Sequence, residues 1–127
     1  MWSRNANLEA KKRSADRRQR EAEAPRLLQE TPGLQSLCIE LTESGEGRFG
    51  PATSHIRRFE ISTAPALFLV LCGDPHCDGG GHDITCEVMA GLRNHEARIE
   101  GQDSCGGGAG GVSCTRSIHY AAIATFE

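Results

Sequence analysis

The run ALFLVLCGDPHCDGGGHDITC, residues 66–86, joins the most apolar stretch of the chain to its densest set of coordinating side chains. Its first seven residues are apolar on both faces and are bounded by Pro65 and Gly73. That pattern predicts the central strand of a sheet, covered on both sides. From Leu71 to Cys86 come three cysteines, two histidines and three aspartates, with glycines between them.

Past this run, Asp83 stands where an N-cap belongs, and Ile84, Val88 and Leu92 recur every four residues with Met89 beside them. The spacing predicts an amphipathic helix over 84–98, weakened at Gly91 and stopped by Gly101. Upstream, SLCIELTE alternates Leu37, Ile39 and Leu41 with Cys38, Glu40 and Thr42, the period of a half-buried strand. HIRRFEIS, residues 55–62, reads as a second strand with less regular alternation, after a glycine-rich loop over 44–53. The chain closes on RSIHYAAIATF, where Ile118, Tyr120, Ala122, Ala124 and Phe126 share one strand face. The expected fold class is α+β: a small four-stranded antiparallel or mixed sheet with one packed helix, preceded by an N-terminal helical arm and stapled by a zinc site.

The arm is residues 1–31. Residues 4–30 are rich in Ala, Arg, Lys, Glu and Gln and lack Gly, which favours helix up to Ala24; Pro25 interrupts it and Thr31-Pro32-Gly33 ends it. The net charge of -3 hides an asymmetry: eight Lys/Arg against five Asp/Glu in 1–31, six against twelve in 32–127. A basic arm therefore precedes an acidic body of 32–127.

Lys11, Lys12, Arg13, Arg17, Arg18 and Arg20 crowd into ten residues, with 13, 17 and 20 on one helical face. Such a surface suits nucleic-acid phosphates, with Trp2 available to stack. Charge pairs such as Glu9 with Arg13 suit a solvated helix instead. Because the body is acidic and has no aromatic-basic interleaving, a protein partner or self-association through this helix is expected ahead of nucleic acid.

Met1–Ser14 is polar and basic with no apolar segment behind it, and the longest apolar stretch is too short to span a bilayer. A cytoplasmic protein without a membrane partner is expected. In a reducing compartment six cysteines point to metal or thiol chemistry ahead of disulfides.

Four of the six form two pairs that each flank a turn. Four residues lie between Cys72 and Cys77 and eight between Cys105 and Cys114, with 27 between the pairs. Two such pairs can supply four thiolates to one tetrahedral zinc per chain, in the general manner of four-cysteine ribbons and knuckles. The glycines fit, because residues free to take positive φ let backbone amides turn toward sulfur; His76 and those amides would surround the metal. With aromatics at only 5%, the chain has a lean core that a metal would help to close. Cys38 reads as a packed thiol.

The function expected is that of a small zinc-binding adaptor with a structural four-cysteine site and no catalytic residue. One alternative is a hydrolytic or thiol enzyme using His82, Asp83 and Cys86, with Cys86 near the amide-rich start of the helix and His82 as base or ligand. The chain has neither an HExxH sequence nor the His-x-Glu and Pro-Cys-x-x-Cys pair of zinc deaminases. A further alternative is a redox-sensing zinc-thiolate protein. Asp74, Asp78 and Asp83 lack the EF-hand spacing, and Gly106–Gly111 lacks the Lys-Ser/Thr of a phosphate loop.

Overall fold

The computed structural model describes residues 3–44, 53–73, 77, 80–109 and 111–127. Helix α1 spans Ser3–Glu23 and a single turn, α2, spans Leu27–Glu30. Strands β1 (Leu34–Ser44) and β2 (Thr53–Arg58) follow, then the two-residue strands β3 (Leu69–Val70) and β4 (His82–Asp83). Helix α3 covers Thr85–Arg93, β5 covers Arg98–Ser104, β6 (Gly108–Ala109) and β7 (Val112–Ser113) make a short hairpin, and β8 spans Ser117–Phe126.

The main sheet is four-stranded and antiparallel throughout, in the order β2-β1-β8-β5. Its centre is β1 against β8, in a register that sets Ile39 opposite Ala122 and Leu41 opposite Tyr120. The period of two explains both strands: Leu37, Ile39 and Leu41 from β1 and Ile118, Tyr120, Ala122 and Ala124 from β8 all enter one core. Val88, Met89 and Leu92 of α3 close that core together with Leu27, Phe68 and Ile99. The opposite face of the sheet presents Glu40, His119, Glu100 and Gln102 to solvent.

The central-strand reading of 66–72 is corrected. Within that run only Leu69 and Val70 are strand, and they pair with His82 and Asp83 in a separate two-stranded ribbon. The run is apolar on both sides because it is a filler segment between helices and sheet. Its backbone groups are satisfied off the main ladder: the Phe68 amide donates to Thr85 Oγ1, the Phe68 carbonyl accepts from the Ile84 amide, and the Ala66 amide donates to Pro25 O.

Helix α3 also ends earlier than the expected residue 98. At its C-terminus the amides of His95 and Glu96 donate to the carbonyls of Leu92 and Gly91, the paired bonds of a Schellman motif. His95 occupies the left-handed position there with φ 57°, where glycine is the usual residue. Residues 98–104 are then free to form β5, the strand missing from the sequence reading. Its single buried apolar residue, Ile99, left no alternation to detect. Gly101 is accordingly no helix stop but a mid-strand residue opposite Tyr120. A Cβ there would lie 2.4 Å from the Tyr120 hydroxyl oxygen, so the bare backbone is what lets the ring lie down.

Among the described residues no helix is long and apolar enough to cross a membrane.

Candidate metal centre

The thiol cluster lies off one end of the main sheet. Ser104 at the end of β5 pairs with Ser117 at the start of β8, which in turn pairs with Ser44 at the end of β1. Cys105 extends that ladder by one bond, its amide donating to Arg116 O at 2.9 Å. The eight-residue gap before Cys114 is the β6–β7 hairpin, closed by the Cys114 amide donating to Gly107 O at 2.8 Å. Cys72 follows β3, and Cys77 precedes β4.

These elements bring four sulfurs to one point. The Sγ atoms of Cys72, Cys77, Cys105 and Cys114 all lie within 4.8 Å of one another. Two separations are 3.7 Å (Cys72 to Cys114) and 3.5 Å (Cys77 to Cys105), each joining one pair to the other. A disulfide needs about 2.05 Å, so these are free thiols. A regular tetrahedron with metal–sulfur bonds of about 2.3 Å has edges of about 3.8 Å, close to both separations. The first three cysteines are buried and Cys114 is half-buried, so the cluster is closed in the manner of a structural site.

Glycines build the cradle. Gly81 takes φ 118° and its amide donates to Cys105 Sγ at 3.4 Å. A Cβ on Gly80 would stand 2.4 Å from the sulfurs of both Cys77 and Cys105, so only hydrogen fits there. Burial pushes the Cys77 thiol up to about 12, and its hydrogen bond and proximity to Cys105 add to the rise. Burial raises Cys105 as well, but amide bonds from Gly107 and Gly81, with the neighbouring thiols, outweigh it and bring the group below the ordinary thiol value. The fold thus eases ionisation of the Cys105 thiol relative to an ordinary one, and four neighbouring sulfurs with inward amides fit a soft or borderline cation.

Around the sulfurs sits a second ring that the sequence reading missed. Glu43 is buried, accepts from the Gly73 amide at 2.9 Å, and lies 3.4 Å from the Arg116 guanidinium. Gly73 follows Cys72 and Arg116 comes two residues after Cys114, so this carboxylate ties both cysteine loops to the end of β1. The signal was present: Glu43 continues the inward phase of Leu37, Ile39 and Leu41, where a carboxylate needs a partner.

The remaining candidates are distributed as follows. His82 is buried, its Nδ1 2.7 Å from Asp103 Oδ2, and among the described residues its Nε2 has no hydrogen-bond partner. Asp83 is not the N-cap of α3, because the helix starts one residue later and Ile84 takes that position without a side-chain cap; Asp83 sits just before it, accepts from the Thr85 amide at 3.0 Å and lies 3.8 Å from Arg20. Cys86 is exposed near the start of α3. His82, Asp83 and Cys86 are therefore each engaged with different surroundings, and the carboxylate that orients His82 is Asp103. His76, Asp74, Asp78 and Trp2 lie outside the described residues.

Of the basic cluster, Arg13, Arg17 and Arg20 face the body across a cleft of about 330 Å³, whose other wall includes Gly80, Gly81 and His82. Lys11, Lys12 and Arg18 are exposed. Arg13 donates to the Cys77 carbonyl, and Arg57 of β2 reaches Glu21 of α1 at 3.0 Å.

Fold and site together define a small α+β protein with a four-cysteine cluster able to hold a metal ion. Comparison with protein-family models, with curated proteins and with solved structures returned no match.

Proposed function

We propose that the chain is a small zinc-binding adaptor in which Cys72, Cys77, Cys105 and Cys114 hold one structural zinc ion. The observation that carries this reading is the meeting of four sulfurs at near-tetrahedral spacing, with a glycine between two of them and an amide aimed at one of those two. An all-thiolate donor set favours zinc over magnesium or calcium, which take oxygen. Zinc supplies cross-linking here: it ties the loop after β3 to the hairpin between β5 and β8.

The adaptor role rests on the exposed side of α1. Lys11, Lys12 and Arg18 face outward with Leu8, which is 63% exposed, and a partner protein with an acidic, partly apolar surface would meet them there. A second copy of the chain or nucleic-acid phosphates are the other occupants this surface admits.

The test is elemental analysis of protein purified under reducing conditions, combined with thiol counting in the native state. One zinc per chain with two reactive thiols, Cys38 and Cys86, is the expected result. Cys72→Ser and Cys105→Ser should each lose the metal; six reactive thiols and no metal in the wild type would refute the site.

A further inference from the structure

Helix α1 is long, yet among its described side chains none is buried. Most helical stability in proteins comes from packing an apolar face, so for α1 polar contacts with the body must decide where it rests. Those contacts are polar, and one of them reaches the thiol cluster. Arg13 donates to the backbone carbonyl of Cys77, Arg20 approaches Asp83 beside the cradle glycines, and Glu21 pairs with Arg57. Among the described residues no apolar anchor appears before Leu27 of α2.

We infer that Arg13 is a positioning residue of the metal centre, so that metal binding and docking of α1 are coupled; this rests on the four-thiolate reading above. Two physical effects produce the coupling. A divalent ion with four thiolates carries about -2, and a guanidinium one peptide group from a ligand sulfur lowers the cost of that charge. The ion also fixes Cys77 in place, which holds its carbonyl where Arg13 can reach it. Each event therefore favours the other by the same factor, as linkage requires.

The geometry also accounts for the separation of the basic cluster into two faces. Arg13, Arg17 and Arg20 turn toward the acidic, thiolate-bearing body, and Lys11, Lys12 and Arg18 turn away. A release of α1 on metal loss would expose the half-buried Arg13 and Arg17 as well.

The experiment uses the full chain loaded with zinc, as wild type, Arg13→Gln and Arg13→Lys. Two quantities are read: the rate of zinc transfer to a chromophoric chelator, and the rate of tryptic cleavage between residues 11 and 20 relative to cleavage at Arg57, Arg58 and Arg98. Arg13→Gln should speed zinc transfer about tenfold, the low end for loss of an outer-shell partner. It should speed cleavage within α1 while the sites in the sheet stay protected, which excludes general unfolding. Arg13→Lys, which keeps the charge, should recover part of both effects. If Arg13→Gln leaves either rate at the wild-type value, the coupling is wrong even though the metal site stands. A wild type that carries no metal would overturn the four-thiolate reading, and this inference with it.

Discussion

Gly80 has sulfur on two sides and room for nothing larger than hydrogen. Gly80→Ala should therefore force the Cys77 and Cys105 sulfurs apart and weaken metal retention by about tenfold or more, while the sheet, which it does not touch, keeps its circular dichroism. Equilibrium competition with a chelator measures this, and unchanged affinity would show the cradle to be looser than its geometry. Tyr120 offers a second test at this scale, because it is the only tyrosine. Burial raises its phenol above the ordinary value, with Glu87 and Asp103 adding to the effect. The folded state then prefers the protonated form: this leaves stability intact below the ordinary tyrosine range of about 10 and erodes it as pH rises further. The ultraviolet titration of phenolate should have its midpoint above that of free tyrosine and return to the ordinary value in denaturant. At residue scale the sequence was most legible in the cysteines, whose chemistry is intrinsic to the side chain. It was least legible in Glu43 and Asp103, because a carboxylate looks the same in sequence whether it meets water, an arginine or a histidine.

The end of α3 depends on one backbone conformation. His95 sits at φ 57° and stacks on Phe126 with ring centroids 4.6 Å apart and planes 4° from parallel. His95→Ala and His95→Gly both remove the stacking, but only glycine relieves the left-handed strain. The alanine variant should therefore be the less stable of the two by about 1 kcal/mol in urea unfolding of the metal-loaded protein. Equal stabilities would mean that strain at this position is negligible. The elements legible in advance were those with a strong period: β1, β8 and the amphipathic part of α3. The boundary of α3 was not, because a histidine in the glycine position of a Schellman motif gives no sequence warning, and the polar edge strand β5 beyond it has no alternation to show.

At the scale of the molecule, the four-cysteine cluster joins segments up to 42 positions apart: the loop after β3, the segment before β4, the end of β5 and the approach to β8. If zinc supplies that link, chelation under reducing conditions should remove the cooperative thermal transition of the body, or lower its midpoint well beyond what a single side-chain change does. Acid should do the same. Thiolates must shed protons to bind the ion, so the stabilisation is present at neutral pH and is lost as pH falls and protons displace the metal. Calorimetry across that range, with metal analysis of the filtrate, checks both statements; a transition indifferent to chelator and acid would show that the core stands without the link.

The sequence by itself determined the α+β class, the inward faces of β1 and β8, and the four cysteines as a set. Each of these follows from side-chain chemistry or from a local period. Only the tertiary structure decided that the apolar run 66–72 is a filler between helices and sheet instead of a central strand, that the sheet runs β2-β1-β8-β5, and that a hairpin folds the long cysteine gap into a compact turn. A run buried on both sides satisfies the same hydrophobic pattern in either role. What separates the roles is where its backbone hydrogen bonds go, and those partners lie far away in sequence: Pro25 on one side and the start of α3 on the other.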